Sequence, residues 1–308
     1  MRNAYMSALH ELAAKNRNIM ALISDNGAVV YDKYREDFPD QYLNCGISEA
    51  NMIGVAAGLA SCGKIPFAYT ISNFLVYRAF EQIRNDVCLQ KMNVKLVGIG
   101  VGFVYSNLGP THHGTEDIAV MRCLPNMTIF SPCDPLETTK VTMAAAAIDG
   151  PVYIRLATGG SPVVYKTDYD FVVGHAQELK SGNDISILTT GSIVSEVLKA
   201  SEELRINKIS ARVINFHTVK PIDKEAIINA AQETGNIIVV EEQNIIGGLG
   251  SAVAEVIAEH NLSGIEFRRV GLKDKFTEGY GTYADLKDIN GLSCCNIVET
   301  VLDMLHTK

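Results

Sequence analysis

Short β-rich runs alternate with helical segments along almost the whole chain. In the first half, predicted strands over 19–24, 65–71 and 94–99 are separated by predicted helices over 48–61 and 74–90. A parallel strand pairing needs a crossover of about a dozen or more residues, usually a helix, so this alternation is typical of parallel sheets. The sequence therefore predicts an α/β fold with largely parallel sheets.

The alternation is interrupted over 158–183, where glycine, proline, serine and aspartate replace the periodic pattern. It restarts with a predicted strand at 185–189. A chain of 308 residues is long enough for two domains. We therefore predict one domain over 1–165, a linker over 166–180 and a second domain over 181–308.

The composition argues against several classes of protein. The formal net charge of −8 disfavours a nucleic-acid interface, which would need a basic surface. No apolar run approaches the roughly 18–20 residues of a membrane-spanning helix, and the first residues lack the apolar core of a secretion signal. The seven cysteines include no C-x-x-C pair and are typical of reduced thiols. We expect a cytoplasmic protein that binds neither membranes nor nucleic acid.

Residues 44–58 place one carboxylate, Glu49, at the start of a helix built otherwise from apolar and small residues. The hydroxyl of Ser48 is predicted to cap this helix. The helix is apolar nearly all round, which predicts burial, and Gly54 and Gly58 predict that a neighbouring backbone packs closely. The segment leaves two roles open for the carboxylate, which either compensates the helix dipole or works as an acid.

Two aromatic residues, Phe74 and Tyr77, follow a predicted strand and share one face of a predicted helix. Such a pair can form a stacking surface for a flat ring, although an aromatic pair at this spacing also suits an ordinary core. The neighbouring Arg78 is open to two interpretations, as a surface charge or as part of the same site.

A long glycine-rich loop over 100–117 follows a predicted strand, at the edge where open α/β sheets bind ligands. Its tip carries His112 and His113. We predict that one of them faces a substrate as a proton shuttle, while the other can cap the following helix. Adjacent histidines point in different directions, so we predict no metal ligands in this chain.

Arg155 ends a predicted strand and precedes the glycine turn Gly159-Gly160. Its guanidinium suits the capture of phosphate or carboxylate, and a structural ion pair is an equal alternative. Further on, the glycines of 247–250 open a predicted helix. They lack the spacing of a dinucleotide-binding loop, so we predict a tight strand-to-helix turn there.

Several motifs, in this order along the chain, resemble the C-terminal half of transketolase-like thiamine diphosphate enzymes. They are Gly-Ile-Ser-Glu-Ala-Asn-Met (46–52), Asn-Phe-Leu-Val-Tyr-Arg-Ala-Phe-Glu-Gln-Ile-Arg-Asn-Asp (73–86), Gly-Pro-Thr-His-His-Gly-Thr-Glu-Asp (109–117), Val-Lys-Pro-Ile-Asp (219–223) and Val-Glu-Glu-Gln-Asn-Ile-Ile-Gly-Gly-Leu-Gly-Ser-Ala (240–252). The chain resembles in particular the C-terminal subunit of split, two-chain transketolases, and its second domain also resembles that of 1-deoxyxylulose-5-phosphate synthase. The resemblance implies a pyrimidine-binding thiamine diphosphate domain followed by a transketolase C-terminal-like domain.

The resemblance also implies which residues bind the cofactor. Glu49 matches the family's catalytic glutamate, which hydrogen-bonds the aminopyrimidine ring. Phe74 and Tyr77 match positions that pack on that ring. Asp25 and Asn26 approximate a pair of residues on the pyrimidine side. A carboxyl in a dry apolar site is expected to have a raised pKa, which suits proton sharing with a ring nitrogen.

For the substrate, the resemblance implies a second group of residues. His112 matches the catalytic histidine that faces the sugar, Arg155 falls near the arginine that binds the substrate phosphate, and Arg78 is placed to assist it. Two positions depart from ordinary transketolases, because Leu108 replaces an aspartate and Gly100 aligns near a histidine. We therefore expect a substrate other than the usual pentose phosphates.

The diphosphate-binding half of the family has no counterpart in this sequence, which contains no Gly-Asp-Gly segment followed by an asparagine metal ligand. The resemblance thus implies that Mg²⁺ and the diphosphate are held by a separate N-terminal-type subunit. We expect the chain to be inactive alone and to assemble as a heterotetramer of two copies of each chain.

The predicted function is transfer of a two-carbon ketol unit between sugar or sugar-phosphate substrates by a thiamine diphosphate-dependent transferase of carbohydrate metabolism. Two alternatives keep the cofactor. They are a condensation like that of 1-deoxyxylulose-5-phosphate synthase and a decarboxylation like that of the beta subunit of 2-oxo acid dehydrogenases. An alternative of another class is a non-catalytic subunit that stabilises a companion chain.

Overall fold

The computed structural model describes residues 1–158 and 160–306. Gly159 of the predicted glycine turn and the last two residues of the predicted second domain, 307–308, lie outside the described residues. The predicted α/β class is confirmed, since helices alternate with strands and the sheets are mostly parallel. No helix in the described part of the chain has the length and apolar character needed to cross a membrane.

Contacts between residues divide the chain into two units. The first unit comprises Met1–Val101 and Val120–Tyr169, and the second comprises Gly102–Ala119 and the residues from Asp170 onward. The division differs from the sequence-based boundaries in two respects. Gly102–Ala119 groups with the second unit although it lies within the first half of the sequence, and the chain passes from the first unit to the second between Tyr169 and Asp170, inside the predicted linker over 166–180. We call Gly102–Ala119 the histidine segment, since it carries both adjacent histidines.

The first unit contains parallel strands with helices packed on them. Its strands are β1 (Ile19–Ile23), β2 (Tyr42–Asn44), β3 (Ile65–Ile71), β4 (Lys95–Ile99), β5 (Thr128–Phe130) and β6 (Val152–Leu156). Its helices are α1 (Arg2–Lys15), α2 (Asp32–Asp37), α3 (Glu49–Ser61), α4 (Ser72–Arg78), α5 (Phe80–Gln82), α6 (Asp117–Arg122), which contains the boundary with the histidine segment, and α7 (Pro135–Ala147).

These strands lie in the order β5-β6-β4-β3-β1-β2, and every pairing among them is parallel. All residues of β4 and β6 are buried. Such near-continuous apolar runs are typical of parallel strands that are covered on both faces. Because the strands are parallel, the segments that follow β1, β2 and β3 all start from the same edge of the sheet, where α3 and α4 begin.

The predicted helix over 74–90 is wrong in its extent and continuity. Helix α4 begins two residues earlier, at Ser72, whose hydroxyl hydrogen-bonds that of Tyr153 at 2.9 Å. It ends at Arg78 because buried Ala79 leaves helical geometry, with φ −115° and ψ 17°. The chain continues through α5 into a π-helical turn over Ile83–Cys88.

The second unit is built around a five-stranded sheet. The strands of the unit are β7 (Gln177–Lys180), β8 (Ile185–Thr189), β9 (Ala211–Asn215), β10 (Thr218–Lys220), β11 (Asn236–Asn244) and β12 (Glu266–Leu272). Its helices are α8 (Val194–Ile206), α9 (Lys224–Thr234), α10 (Leu249–Glu259), α11 (Tyr283–Ile289) and α12 (Cys294–His306). The sheet order is β12-β11-β8-β9-β7, with β7 antiparallel to β9 and the other pairings parallel.

Both faces of this second sheet are covered by apolar side chains. Neighbouring residues of a strand point to opposite faces, so Ile187 and Leu188 of β8 belong to two different core clusters. The cluster of Ile187 also contains Phe103, which comes from the histidine segment. The histidine segment therefore contributes directly to the core of the second unit.

The predicted strand-to-helix turn is present between β11 and α10. The carboxyl of Glu241, which is buried, accepts hydrogen bonds from the backbone N–H groups of Leu249 at 2.7 Å and Gly250 at 2.9 Å. These N–H groups belong to the first turn of α10, where a helix favours negative charge. The carboxylate of Glu241 therefore occupies the position at the start of α10 where a phosphate group would bind in a phosphate-binding loop.

A buried lysine in the first unit gives a testable pH dependence. The amino group of Lys95 donates to the carbonyl oxygens of Ile148 at 2.6 Å and Gly150 at 2.8 Å. Burial lowers the pKa of Lys95 to about 7, against the opposing attraction of Asp149. In the unfolded chain the pKa is about 10.4, so unfolding takes up a proton between these two values.

The free energy of unfolding of the wild type, minus that of Lys95→Met, should therefore rise with pH between about pH 7 and pH 10. The rise should be at most about 1.4 kcal/mol per pH unit. Below pH 7, Lys95 contributes no slope because it is protonated in both states. Urea unfolding of both proteins across this range measures the difference. Parallel pH profiles for the two proteins would contradict the lowered pKa.

Candidate active site

The loop before α3 is held by the end of β1. The hydroxyl of Ser24 donates to the carbonyl oxygen of Gly46 at 2.9 Å and accepts from the backbone N–H of Ser48 at 3.2 Å. Ser48 occupies the N-cap position, but its hydroxyl donates to the carbonyl oxygen of Cys45 at 2.8 Å. The prediction that its hydroxyl caps the helix is therefore wrong, because a nearby carbonyl competes for it. This loop leads directly into Glu49, the first residue of α3.

Glu49 is buried, with only 4% of the residue exposed, and it is paired with a cation. Its Oε2 lies 3.3 Å from Nη1 of Arg78 at the end of α4. The same guanidinium covers the ring of Phe74, with its central carbon 3.8 Å from the ring centroid. Tyr77, on the same helix, is 43% exposed. The structure thus brings three predicted site residues, Glu49, Phe74 and Arg78, into one cluster.

Helix α3 is buried on one side only. Met52 and Ile53 are fully buried, whereas Gly54 and Gly58 are exposed. Apart from the adjoining residues and backbone of α3 itself, no atom in the described part of the chain would lie within 4 Å of a Cβ built on either glycine. The predictions of burial all round and of close backbone packing are therefore wrong for this chain by itself. The exposed side of α3 carries mainly small residues.

Asp25 and Asn26 follow β1 at the same edge of the sheet. Asp25 has a positive φ of 53° and is exposed. Its backbone N–H donates to Oδ1 of Asn44 at 3.2 Å, and its carboxylate accepts from Nδ2 of Asn44 at 2.9 Å. Asn26 is half-buried. Sequence reasoning missed Asn44, although it is the first residue of the stretch 44–58 that the sequence analysis singled out.

Arg155 lies inside β6, where it is paired in register with Gly98 of β4. Only 2% of the residue is exposed. The predicted strand is present but extends one residue beyond Arg155, to Leu156. The side chain is enclosed and is not presented to solvent in this conformation.

His112 belongs to the histidine segment and is described with the second unit. Its backbone N–H donates to the carbonyl oxygen of Gly109 at 2.9 Å, which closes a tight turn over Gly109–His112. Its Nδ1 lies 3.0 Å from Oγ1 of Thr111, and the side chain is half-buried. Among residues 1–158 and 160–306, no group of three or more His, Cys, Asp and Glu residues is arranged to hold a metal ion.

His113 is buried beside His112 and has a different environment. Its Nε2 hydrogen-bonds the carbonyl oxygen of Ser106 at 3.3 Å, and its Nδ1 lies 2.6 Å from Oγ1 of Thr277. Because a carbonyl oxygen can only accept, Nε2 carries the proton and Nδ1 accepts from Thr277. Burial lowers the pKa of His113, so the ring is neutral near pH 7. Of the two histidines, His112 is the more accessible.

Family models match nearly the whole chain. Residues 1–161 match the model described as the transketolase pyrimidine binding domain, and residues 174–297 match the transketolase C-terminal domain. The chain belongs to the transketolase family. The predicted fold, a pyrimidine-binding domain followed by a transketolase C-terminal domain, is thereby confirmed, as is the resemblance on which it was based.

The relatives of this transketolase-family chain include single subunits of about the same length and longer enzymes. A 6-deoxy-6-sulfo-D-fructose transketolase subunit from Clostridium sp. (strain MSTE9) is 38% identical over 100% of this chain and 95% of the relative. A 1-deoxy-D-xylulose-5-phosphate synthase from Desulfotalea psychrophila is 36% identical over 97% of this chain but 47% of its own length. A solved split-gene transketolase, described as an inactive beta4 tetramer, has a TM-score of 0.91 and 40% identity over 99% of this chain and 98% of that chain.

In this transketolase-family chain, the ion pair between Glu49 and Arg78 should contribute a measurable coupling to the free energy of unfolding. Glu49→Gln and Arg78→Met, alone and together, form a double-mutant cycle that isolates the pair. Because Glu49 is buried and Arg78 half exposed, we expect a coupling of about 1 kcal/mol, at the upper end for exposed ion pairs. Urea unfolding of the four proteins measures it.

The exposed pair of Glu11 and Lys15 on α1 is a matched control in the same unit. Its coupling should be about 0.3–0.5 kcal/mol, as for other exposed pairs four residues apart. An equal or smaller coupling between Glu49 and Arg78 would show that the buried carboxylate is not paired in solution.

Proposed function

We propose that this chain is the catalytic C-terminal subunit of a two-chain transketolase, which transfers a two-carbon ketol unit between sugar substrates. The observation that carries the proposal is the buried carboxyl of Glu49 at the first residue of α3, inside a matched pyrimidine-binding domain. It lies at the carboxyl edge of parallel strands, where open α/β sheets bind ligands.

The residues around Glu49 fit the aminopyrimidine half of thiamine diphosphate. A carboxyl can accept or donate a hydrogen bond at a ring nitrogen, and Phe74 and Tyr77 offer aromatic faces. Arg78 now covers Phe74 and pairs with Glu49, so its guanidinium has to move aside before Glu49 can hold a proton at a ring nitrogen. Thiamine diphosphate, when bound, supplies the carbanion chemistry of ketol transfer.

Asp25 and Asn26 complete the proposed cofactor-binding set. Both follow β1 and lie at the strand edge from which the loop into α3 also starts. The reciprocal hydrogen bonds between Asp25 and Asn44 hold this turn in a defined conformation. We assign Asp25 and Asn26 a positioning role on the pyrimidine side, without a chemical step of their own.

We propose that the substrates are polar, anionic sugars. His112 is half-buried on a glycine–proline turn, and imidazole transfers protons near neutral pH. Arg78, whose side chain is half exposed, is more accessible to an anion than Arg155. The Clostridium relative is named for a sugar with a sulfo group, which supports an anionic substrate. Leu108 cannot pair with a sugar hydroxyl, and an unpaired hydroxyl costs about 1–3 kcal/mol when it is buried.

The names of the relatives support a partner subunit. This chain covers nearly all of a relative that is itself named a subunit, and it resembles a split-gene transketolase solved in an inactive assembly of one kind of chain. We propose that an N-terminal-type subunit holds the diphosphate and Mg²⁺. Mg²⁺ prefers oxygen ligands, which the diphosphate and the carboxylates of a protein supply. The exposed, small-residue side of α3 is a surface that a partner can cover. A heterotetramer of two copies of each chain in the cytoplasm is the proposed form.

The synthase alternative has a specific observation in its favour, the 36% identity to a 1-deoxy-D-xylulose-5-phosphate synthase. The chain nevertheless spans under half of that enzyme and nearly all of the transketolase subunit. The two reactions differ in the acceptor and in loss of carbon dioxide from the donor. Carbon dioxide release by the reconstituted complex from a 2-oxo acid would favour the synthase or a 2-oxo acid dehydrogenase.

The first prediction from this proposal concerns cofactor binding. Thiamine diphosphate with Mg²⁺ is titrated calorimetrically into this chain, into an N-terminal-type transketolase subunit from the same organism, and into their mixture. We expect saturable binding only in the mixture, because each chain supplies half of the site. Saturable binding to this chain alone would contradict the two-chain proposal, and no binding in any sample would favour the non-catalytic alternative.

The second prediction concerns Glu49 itself. In the reconstituted complex, Glu49→Gln should lower kcat for ketol transfer by at least about 100-fold, the usual contribution of a positioned acid or base. Assembly, measured by light scattering, should be unchanged. Turnover is followed with a panel of sugar phosphates and 6-deoxy-6-sulfofructose as donors.

Glu225→Gln is the matched control, because Glu225 also lies in the first turn of a helix but is exposed. If Glu49 only compensates the dipole of α3, both substitutions should leave turnover unchanged and lower stability by a similar, small amount. That result would remove Glu49 from the catalytic assignment.

A further inference from the structure

The histidine segment is held to the second unit on both sides of His112. Before His112, the ring of Phe103 is fully buried in the core that covers one face of the five-stranded sheet. After His112, the carbonyl oxygen of Thr115 accepts from the backbone N–H of Asn244 at 2.7 Å. His113 is bound to Thr277 at 2.6 Å. The tip that carries His112 therefore projects from two fixed points.

A buried carboxyl lies at the first of these points. Glu242 of β11, 2% exposed, accepts at Oε1 from the backbone N–H of Phe103 at 2.7 Å. At Oε2 it accepts from the hydroxyls of Ser192 at 2.6 Å and Tyr283 at 2.7 Å. All three groups can donate, which suits an acceptor-only carboxylate, and hydrogen bonds to a carboxylate are shorter and stronger than neutral ones.

The strand order gives this carboxyl a particular location. From β8 the chain first pairs with β9 on one side of the sheet and later with β11 on the other, so the order reverses between β8 and β11. In open α/β sheets, ligands bind in the crevice beyond the strand ends at such a point. Here Glu242 near the end of β11 bonds Ser192, which follows β8, and the start of the histidine segment. At this point, the histidine segment and Ser192 contact Glu242 where a ligand would bind in other open sheets.

Gly102 gives independent evidence that the contact is close. Its φ is +60°, in the left-handed region that favours glycine. A Cβ built on Gly102 would overlap the carboxyl of Glu242. Only glycine permits the backbone to approach Glu242 in this way.

We propose that Glu242 is a positioning residue for His112. It fixes the start of the histidine segment to the second unit, and the tip of the segment then presents His112 in one defined place. Removing Glu242 should let the segment move without unfolding the sheet beneath it. The assignment of His112 as the residue that faces the sugar rests on the proposed function, whereas the attachment of the segment does not.

The attachment is tested by hydrogen exchange of this chain alone, comparing wild type, Glu242→Ala and Glu242→Gln. We expect Glu242→Ala to speed exchange of amides in residues 103–116 at least tenfold, while β8 and β9 keep their protection. Glu242→Gln should restore most of the protection, since its amide oxygen can still accept from Phe103. Unchanged exchange over 103–116 in Glu242→Ala would overturn the proposal.

Glu241→Ala is the matched control. Glu241 is the adjacent residue, equally buried, but it holds the start of α10. Its removal should speed exchange over 247–252 and leave residues 103–112 protected. If Glu242→Ala is recovered in too small an amount, Gly102→Ala disturbs the same contact from the segment side. It should give the same local loss of protection.

The positioning role is tested in the reconstituted complex. Glu242→Ala should lower kcat/KM for the sugar substrate about tenfold or more, with thiamine diphosphate binding unchanged. Added to His112→Ala, it should cause no further loss, because Glu242 acts through His112. Additive losses, or full kcat/KM despite a loosened segment, would overturn the positioning role. A wild-type complex without ketol transfer would instead refute the proposed function and leave the attachment intact.

Discussion

Buried carboxylates that accept backbone N–H groups hold the loops of this protein in place. A buried N–H without a partner costs free energy, so every loop that returns to the core needs an acceptor. Asp134 accepts from Glu137 in α7 and from Val164 and Tyr165 beyond β6. Glu241 serves the start of α10, and Glu242 serves the histidine segment. The arrangement of the loops in both units depends on these acceptors.

The sequence predicted those features that arise locally. Alternating strands and helices fixed the α/β class, because periodicity follows from neighbouring residues. Glu49 was found because it is the one carboxylate in an apolar, small-residue stretch, and such a contrast is visible without a structure. Phe74 and Tyr77 were found through their spacing along one predicted helix, and Arg78 as their neighbour in the sequence. The structure places Arg78 against both Glu49 and Phe74, a contact between two helices that the sequence did not predict.

Features that depend on distant residues were not predictable. The loop before α3 is held by Ser24, which follows β1 and bonds Gly46 and Ser48 from 22 and 24 residues away in sequence. The break at Ala79 has no local signal, since alanine favours helices. The attachment of the histidine segment joins Phe103 to Glu242, which are 139 residues apart in sequence. Glu241 and Glu242 are adjacent in the sequence. Nothing in the neighbouring residues indicates that Glu241 bonds the start of α10 while Glu242 bonds the histidine segment.

Because Glu242 binds a main-chain N–H, this contact constrains little of the side-chain sequence of the histidine segment. Only Gly102 is required to be small at the point of contact, while Leu108 near the tip is 49% exposed and makes no contribution to it. Residues at the tip can therefore be exchanged during evolution while the segment keeps its place. The exposed tip can in this way change its shape and polarity by substitution at a few positions, while the interior of the second unit stays the same.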